Sequence, residues 1–282
     1  MKLPFQVDLK GKVAVVTGAG GVLCSMFSEA IAACGAKVAL LDINQEAAGA
    51  VADKIVGDGG IAKAYKADVL SKESLEGVHA QVVKDFGRCD ILLNGAGGYS
   101  PKATTTNEYL MKEDLGAEDI ISFFNLDKAG VEFVFNLNFL GTLLPTQVFA
   151  KDMAEAGCGN IINVSSMNSF TPLTKIPAYS GAKAAVSNFT KWLSVHFSKV
   201  GVRVNAIAPG FFVTNQNRAL LLNADGSYTE RSKKILNHTP MGRFGEAEEL
   251  IGSVLFLLCE EASGFVNGVV IPIDGGFSSY TI

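Results

Sequence analysis

Segments typical of β-strands and of α-helices alternate along the whole chain. Short runs rich in β-branched residues, such as 12–17, 37–41 and 202–208, are separated by longer segments with the apolar repeat of a helix. Parallel strands need such crossovers, so the alternation predicts a parallel sheet with helices on both faces. No repeat or linker divides the 282 residues. We expect one α/β domain over 1–282, a doubly wound Rossmann domain with a central parallel sheet flanked by helices.

The composition allows a large core and argues against several classes of function. Hydrophobic residues make up 48% of the chain, the net charge is −4, and no block of Lys or Arg occurs. Nucleic acid is therefore not an expected partner. The longest strongly apolar run, 251–258, is too short to span a bilayer, and the N-terminus lacks the apolar core of a signal peptide. We expect a soluble cytoplasmic protein without a membrane partner.

The cysteines and histidines do not predict a metal site. The five cysteines are scattered without a CxxC pair, and no histidine lies at ligand spacing from them. Zinc sites need closely spaced thiolates and imidazoles. We expect reduced cysteines and no metal.

Residues 166–183 place a serine, a tyrosine and a lysine at spacings that suit hydride transfer at a carbonyl carbon. Tyr179 and Lys183 stand four apart in a predicted helix, so their side chains share one face. Ser166 follows a predicted strand and can hold a substrate oxygen. An ammonium favours a neighbouring phenolate, so Lys183 is expected to lower the pKa of Tyr179 for proton transfer. A buried tyrosine with a surface lysine would be the better interpretation of an isolated YxxxK, but the upstream serine disfavours it.

A glycine-rich turn follows the first predicted strand and opens a helix. This arrangement points helix N-terminal amides at a pair of phosphates. A structural tight turn would explain the glycines alone about as well. The candidate cofactor contacts are Thr17, Gly18, Gly20, Gly21, Val22 and Leu23.

Asp42 ends the second predicted strand, about 20 residues beyond the glycine turn. A carboxylate there accepts hydrogen bonds from the adenosine ribose and repels a 2′-phosphate. Asp42 therefore favours NAD (NADH) over NADP. The alternative is that Asp42 caps the helix that begins near Asn44.

Together these residues resemble the short-chain dehydrogenase/reductase family over nearly the whole chain. The resemblance implies that Ser166, Tyr179 and Lys183 are catalytic, and that Asn138 orders a water in a proton relay to the lysine. The family pattern TGxxxGxG reads TGAGGVLC here, so Val22 and Cys24 replace its second and third glycines. The phosphate contact is then expected to use glycine at shifted positions.

The resemblance also implies further cofactor contacts and an assembly. Residues 94–97 resemble the family's NNAG with glycine as the second residue, and 209–214 resemble PGxxxT, which binds the nicotinamide carboxamide. The family uses the helices of Asn138 and Tyr179 as subunit interfaces, which implies a homo-oligomer, most simply a tetramer. The implied contacts are Asp68, Val69, Asn94, Gly95, Ala96, Gly97, Tyr179, Lys183, Pro209, Gly210, Phe212 and Thr214.

Two segments are expected to cover a small-molecule substrate. Residues 98–127 form a longer and more polar loop than is usual in the family, with one helical patch at most, and act as a lid or a solvated insertion. Residues 211–240 form the second cover. The stretches 135–149, 166–179 and 210–221 resemble family members that interconvert a keto hexuronate and its hexonate, D-fructuronate and D-mannonate. Candidate contacts to this sugar acid are Lys102, Asn168, Lys175, Asn217 and Arg218.

In the implied reaction Ser166 orients the carbonyl oxygen, Tyr179 protonates it, and the hydride comes from NADH. Two other interpretations remain open. The first keeps the chemistry with another substrate, such as a 5-keto sugar acid or a 3-oxoacyl thioester. The second is a non-catalytic nucleotide-binding module, which Val22 and Cys24 suggest and the four catalytic candidates disfavour.

Overall fold

A computed structural model describes residues 6–213 and 221–281, which form a parallel sheet flanked by helices. The strands are β1 Val13–Thr17, β2 Lys37–Asp42, β3 Ile61–Lys66, β4 Ile91–Asn94, β5 Gly159–Val164, β6 Val202–Pro209 and β7 Val270–Ile273. The helices are α1 Val22–Ala33, α2 Gln45–Gly57, α3 Lys72–Asp85, α4 Lys128–Phe135, α5 Gly141–Ala156, α6 Pro177–His196, α7 Glu230–Asn237, α8 Ile251–Leu258 and α9 Glu260–Ser263.

The seven strands lie in the order β3-β2-β1-β4-β5-β6-β7, and each neighbouring pair is parallel. The direction of winding reverses between β1 and β4. In open parallel sheets, ligands bind at such a switch point, beside the carboxyl ends of the strands. The predicted doubly wound fold is confirmed.

Alternating residues of the central strands pack against helices on opposite faces of the sheet. In β1, Ala14 and Val16 join the cluster of α1 and α8, whereas Val13 and Val15 join that of α3, α5 and α6. All five residues of β1 are buried. Successive side chains of a strand point to opposite faces, so a strand covered on both faces is apolar throughout.

The helix that carries Asn138 is part of a longer helical run, 128–156, that a π-helical turn interrupts. α4 continues through the π turn Asn136–Leu140 into α5. By length and composition this run could cross a membrane, and half of its most apolar window is buried inside the protein. Helices in the core of a soluble protein have the same properties, because their apolar residues pack against a sheet.

The segment 98–127 contains three short 3₁₀ turns, so the expectation of at most one helical patch was wrong. The turns are Pro101–Ala103, Lys112–Asp114 and Phe123–Asn125. Local side-chain bonds hold them: Asp114 accepts from the Met111 N–H, and Ser122 accepts from the Phe124 N–H. Such turns need no apolar periodicity, which is why the sequence pattern does not reveal them.

A buried polar network ties the sheet to α5 and α6. Asn94 Nδ2 donates to Thr146 Oγ1 at 3.0 Å and to Asn163 Oδ1 at 2.9 Å, and Asn163 Nδ2 donates to Thr190 Oγ1 at 2.9 Å. All four side chains are at most 2% exposed. Because breaking a buried hydrogen bond leaves a desolvated polar group, this network holds the two helices in one position on the sheet.

Candidate active site

The structure brings together the serine, tyrosine and lysine that the sequence singles out. β5 ends two residues before Ser166, which begins the 3₁₀ turn Met167–Ser169, and α6 carries Tyr179 and Lys183 on its first two turns. The Tyr179 hydroxyl lies beside Ser166. Lys183 Nζ donates to the Val164 carbonyl at 2.8 Å and lies 5.7 Å from the centre of the Tyr179 ring. A hydroxyl, a phenol and an amine thus meet at the carboxyl end of β5.

Burial dominates the electrostatics of this group. It lowers the pKa of the Lys183 ammonium to about 8, since that side chain is 4% exposed. It also raises the pKa of Tyr179, and the hydrogen bond from Ser166 opposes this rise. The expectation that Lys183 lowers the pKa of Tyr179 for proton transfer stays a prediction.

Asn138 lies beside this group, in the π turn. Its Nδ2 donates to the carbonyls of Gly98 and Val134, and its Oδ1 accepts from the Gly98 N–H. A Cβ on Gly97 would lie 2.7 Å from Asn138 Oδ1 and 3.1 Å from Lys183 Nζ, so only glycine fits there. The side chain of Asn138 thus holds the 97–98 backbone against Lys183. Its proposed role in a water relay stays a prediction.

The glycine turn is packed against the loop after β4. Gly18 has φ +67°, and a Cβ on it would lie 2.9 Å from the Ala96 backbone. The Thr17 hydroxyl is buried and accepts from the N–H groups of Gly95 and Ala96 at 3.1 and 3.3 Å. The N-cap of α1 is Gly21, which has no side chain to accept a hydrogen bond from the first amides of the helix. Thr17 therefore joins the two loops, while the first amides of α1, at Val22 and Leu23, are left for an anion.

Two of the three departures from the family pattern, Cys24 and Gly95, lie against each other. A Cβ on Gly95 would lie 2.1 Å from Cys24 Sγ, so glycine in place of asparagine makes room for cysteine in place of glycine. Burial raises the pKa of the Cys24 thiol to about 12, which keeps it neutral. The thiol is a packing residue of the turn, and the substitutions at 24 and 95 compensate each other.

Asp42 lies at the carboxyl end of β2, against the glycine turn. Its carboxylate accepts from the Gly20 N–H at 2.9 Å and from the Asn44 N–H at 2.8 Å. The cap of α2 is Asn44, which accepts from the Ala47 N–H. The alternative that Asp42 itself caps this helix is therefore wrong.

The other predicted cofactor residues are divided between the crevice and its supports. Asp68 Oδ1 accepts from the Leu70 N–H, and Val69 packs against Gly141. Asn94 has its side chain in the buried network. Pro209 ends β6, and the Gly210 N–H donates to Ile273. Phe212 is 6% exposed and packs on Gly245. Thr214, Asn217 and Arg218 lie outside the described residues.

The two predicted cover segments contact each other. Glu108, in the 98–127 loop, accepts from Lys234 of α7 at 3.0 Å. The hydrogen bond from Lys234, with the charges of Lys175 and Arg231, holds the pKa of Glu108 below its usual value. The pair stands 126 residues apart in the chain, so no local signal could have revealed it.

Lys102 and Lys175 differ in their placement. Lys102 is exposed, on a turn that packs against Gly130 of α4. Lys175 is partly buried just before α6, and its carbonyl accepts from the Thr105 N–H at 2.8 Å. Its φ of +72° is uncommon for a residue other than glycine and is typical of strained functional segments.

A cavity of about 540 Å³ lies between the start of α1 and the second cover segment. The sequence did not point to most of its wall, because those residues carry no motif. Its lining includes Val22, Val213, Leu222, Tyr228, Arg243 and Phe244.

Three comparisons with known proteins bear on this site. A family profile described as enoyl-(acyl carrier protein) reductase, of the short-chain alcohol dehydrogenase type, matches residues 23–278. An uncharacterized oxidoreductase of Haemophilus influenzae is 61% identical over 281 residues, which are 100% of this chain and 98% of the relative.

Two solved structures share the fold over almost their whole length. A Haemophilus influenzae protein provisionally named D-mannonate oxidoreductase, with bound NAD, is 60% identical with a TM-score of 0.93, and the match covers 99% of each chain. A gluconate 5-dehydrogenase of Burkholderia cenocepacia, in complex with NADP and tartrate, is 28% identical with a TM-score of 0.84 and the same coverage.

We predict that Gly95→Ala destabilises the protein by about 1–3 kcal/mol through overpacking against Cys24. In a Cys24→Ala background the same change should cost at least about 1 kcal/mol less, because the sulfur is gone. Urea unfolding of the four proteins measures this coupling. Gly77→Ala, where an added Cβ meets nothing within 4 Å, is the matched control and should show no coupling with Cys24. Additive costs at 24 and 95 would contradict the compensation.

We predict that burial of Lys183 makes stability depend on pH. The pKa of Lys183 falls from 10.5 to about 8 on folding, so both states are protonated below pH 8 and the cost is constant there. Above it the unfolded state binds more protons, and stability rises with pH towards 10.5. Relative to Lys183→Met, the wild type should gain roughly 2–3 kcal/mol over this window. Urea unfolding at several pH values tests this, and a difference that stays constant with pH would refute it.

Proposed function

This chain belongs to the short-chain dehydrogenase/reductase family, and we propose from that premise that it interconverts D-fructuronate and D-mannonate. It is an NAD-dependent oxidoreductase acting on a CH–OH or C=O group. The observation that carries the proposal is the meeting of Ser166, Tyr179, Lys183 and Asn138 at the carboxyl ends of β4 and β5, beside the switch point of the sheet. A relative 60% identical to this chain, provisionally named D-mannonate oxidoreductase, contains NAD.

The residues of the crevice fit NAD. The amides at the start of α1 suit the pyrophosphate. The turn before them passes so close to α2 that a Cβ on Gly20 would lie 2.8 Å from Ala47. Asp42 places a carboxylate beside this turn, where it would bind the adenosine ribose and disfavour a 2′-phosphate. When bound, NAD accepts or supplies the hydride.

The catalytic roles follow from the hydrogen bonds and the pKa directions. Ser166 would hold the carbonyl oxygen, and Tyr179 would give it a proton during reduction. Because burial raises the pKa of Tyr179, the phenol keeps its proton at neutral pH, which suits a general acid. In the reverse direction the phenolate is needed, so oxidation would be faster at higher pH. Lys183 would bind the nicotinamide ribose and relay protons with Asn138.

The charge of the cover supports an anionic substrate. Three cations, Lys175, Arg231 and Lys234, lie near Glu108 where the two cover segments meet, and a second carboxylate, that of Glu230, lies near Lys234. A sugar acid carries a carboxylate that such a field would attract. Lys175, just before α6, is the nearest of the three in sequence to Tyr179, and we propose it as the carboxylate contact.

The proposal is tested by the loss of reduced-nicotinamide absorbance with D-fructuronate and either NADH or NADPH. NADH should be preferred by at least about tenfold, the equivalent of 1.4 kcal/mol of repulsion at Asp42. In Tyr179→Phe, NADH binding should persist while turnover falls at least about 100-fold, the usual contribution of acid–base catalysis. If neither NADH nor NADPH is oxidised, D-fructuronate is ruled out as the substrate. A panel of keto sugar acids and acyl thioesters is then tested.

We also propose that the enzyme is a homo-oligomer, as a tetramer, through α5 and α6. Phe139, Phe189, Trp192 and His196 form a continuous row of ring contacts, and Trp192 is 56% exposed. An exposed aromatic row of this kind is typical of a subunit interface. Light scattering should give about four times the chain mass of 29.7 kDa. The mass of a single chain would rule the assembly out.

A further inference from the structure

The residue that we single out is Asn168, in the 3₁₀ turn directly after Ser166. It is 5% exposed, and its main-chain N–H donates to Ser166 Oγ at 3.3 Å. The backbone of Asn168 therefore helps to fix the hydroxyl that would hold the reacting oxygen. Its side chain is not needed for that bond.

The side-chain amide of Asn168 has no hydrogen-bond partner among the described residues. Its Oδ1 is fully buried and has no hydrogen-bond partner. The other buried asparagines with an unpaired oxygen differ from it. Asn94 Nδ2 donates to Thr146 and Asn163, and Asn160 Nδ2 donates to the Leu257 carbonyl. Within the described part of the chain, the side chain of Asn168 thus forms no hydrogen bond through either its carbonyl oxygen or its NH2 group.

An unpaired buried amide is costly, so such groups in native proteins usually await a partner. A partner for the carbonyl oxygen and the NH2 group of this amide must both donate and accept hydrogen bonds, as hydroxyl groups do. Asn168 stands two residues from Ser166, so a substrate whose reacting oxygen lies on Ser166 presents its neighbouring carbons to this turn.

We infer that Asn168 is a specificity-determining residue that hydrogen-bonds the hydroxyl on the carbon next to the reacting carbonyl. The inference rests on the proposed function, and it narrows the substrate class to polyhydroxy ketones with a hydroxyl at that position. A ketone that lacks this hydroxyl leaves the amide unpaired in the transition state. A site built around a hydroxyl rejects such analogues because its own polar groups lose their partner.

The test compares kcat/KM, with NADH, for D-fructuronate and for an analogue that lacks the hydroxyls on both carbons next to the keto group. Wild type should prefer the hydroxylated ketone by at least about tenfold, the effect of one hydrogen bond worth 1.4 kcal/mol. In Asn168→Ala the preference should fall to about threefold or less, through loss on the hydroxylated substrate alone. Because the bond to Ser166 is a main-chain bond, alanine retains it.

The matched control is Asn160→Ala, at the opposite end of β5, which also has a buried unpaired oxygen. It should keep the wild-type preference, and a loss there would contradict the assignment. A preference that is unchanged in Asn168→Ala, or an equal loss on both ketones, would overturn it. Asn168→Ser, which restores a small polar group, should recover part of the preference and serves if the alanine variant does not fold.

Failure of the inference can be told apart from failure of the proposed function. If D-fructuronate is inactive but 5-keto-D-gluconate is reduced, the proposed substrate fails, and the same comparison is made with that ketone and its deoxy analogue. If D-fructuronate is reduced and the preference for the hydroxylated ketone does not depend on Asn168, only the inference fails. If 3-oxoacyl thioesters alone are reduced, both fail, because these substrates carry no such hydroxyl.

Discussion

The close approach of backbone segments around the buried amine of Lys183 is the constraint on which the site depends. Gly97 leaves no space for a side chain between Asn138 and Lys183, and Gly18 lies against the Ala96 backbone. The loops after β1 and β4 must therefore pass within van der Waals contact of each other. Two sets of hydrogen bonds hold them there. Asn138 donates to the Gly98 carbonyl, and the N–H groups of Gly95 and Ala96 donate to the Thr17 hydroxyl. The side chains of Thr17 and Asn138 are fully buried, so leaving them without these partners would cost more than the same loss in water.

Burial of these groups also decides their proton affinities. The same low polarity that lowers the pKa of Lys183 raises that of Tyr179, because it disfavours the charged form of each. Before substrate binds, the phenol of Tyr179 is protonated and lies beside Ser166. The site thus has the properties of a proton donor for carbonyl reduction, in keeping with the family to which the chain belongs.

The outer part of the site is assembled from segments that differ more from the family pattern. The ion pair of Glu108 and Lys234 joins the 98–127 loop to α7, and Lys175 is held in a left-handed conformation between them and α6. Next to Ser166, Asn168 has a buried amide oxygen with no hydrogen-bond partner in residues 6–213 and 221–281. The cations where the two cover segments meet and the amide of Asn168 beside Ser166 together suit one kind of substrate. It has a carboxylate at one end and hydroxyls next to its reacting carbon.

The amino-acid sequence by itself determined the alternation of strands and helices, and with it the parallel sheet and the positions of Ser166, Tyr179 and Lys183. These features follow from periodicities of two to four residues, which a chain displays before it folds. Only the tertiary structure decided that Cys24 packs on Gly95 and that burial raises the pKa of Tyr179. Contacts between residues 70 apart, and the loss of water around them, have no counterpart in local spacing, because they exist only once the segments have packed.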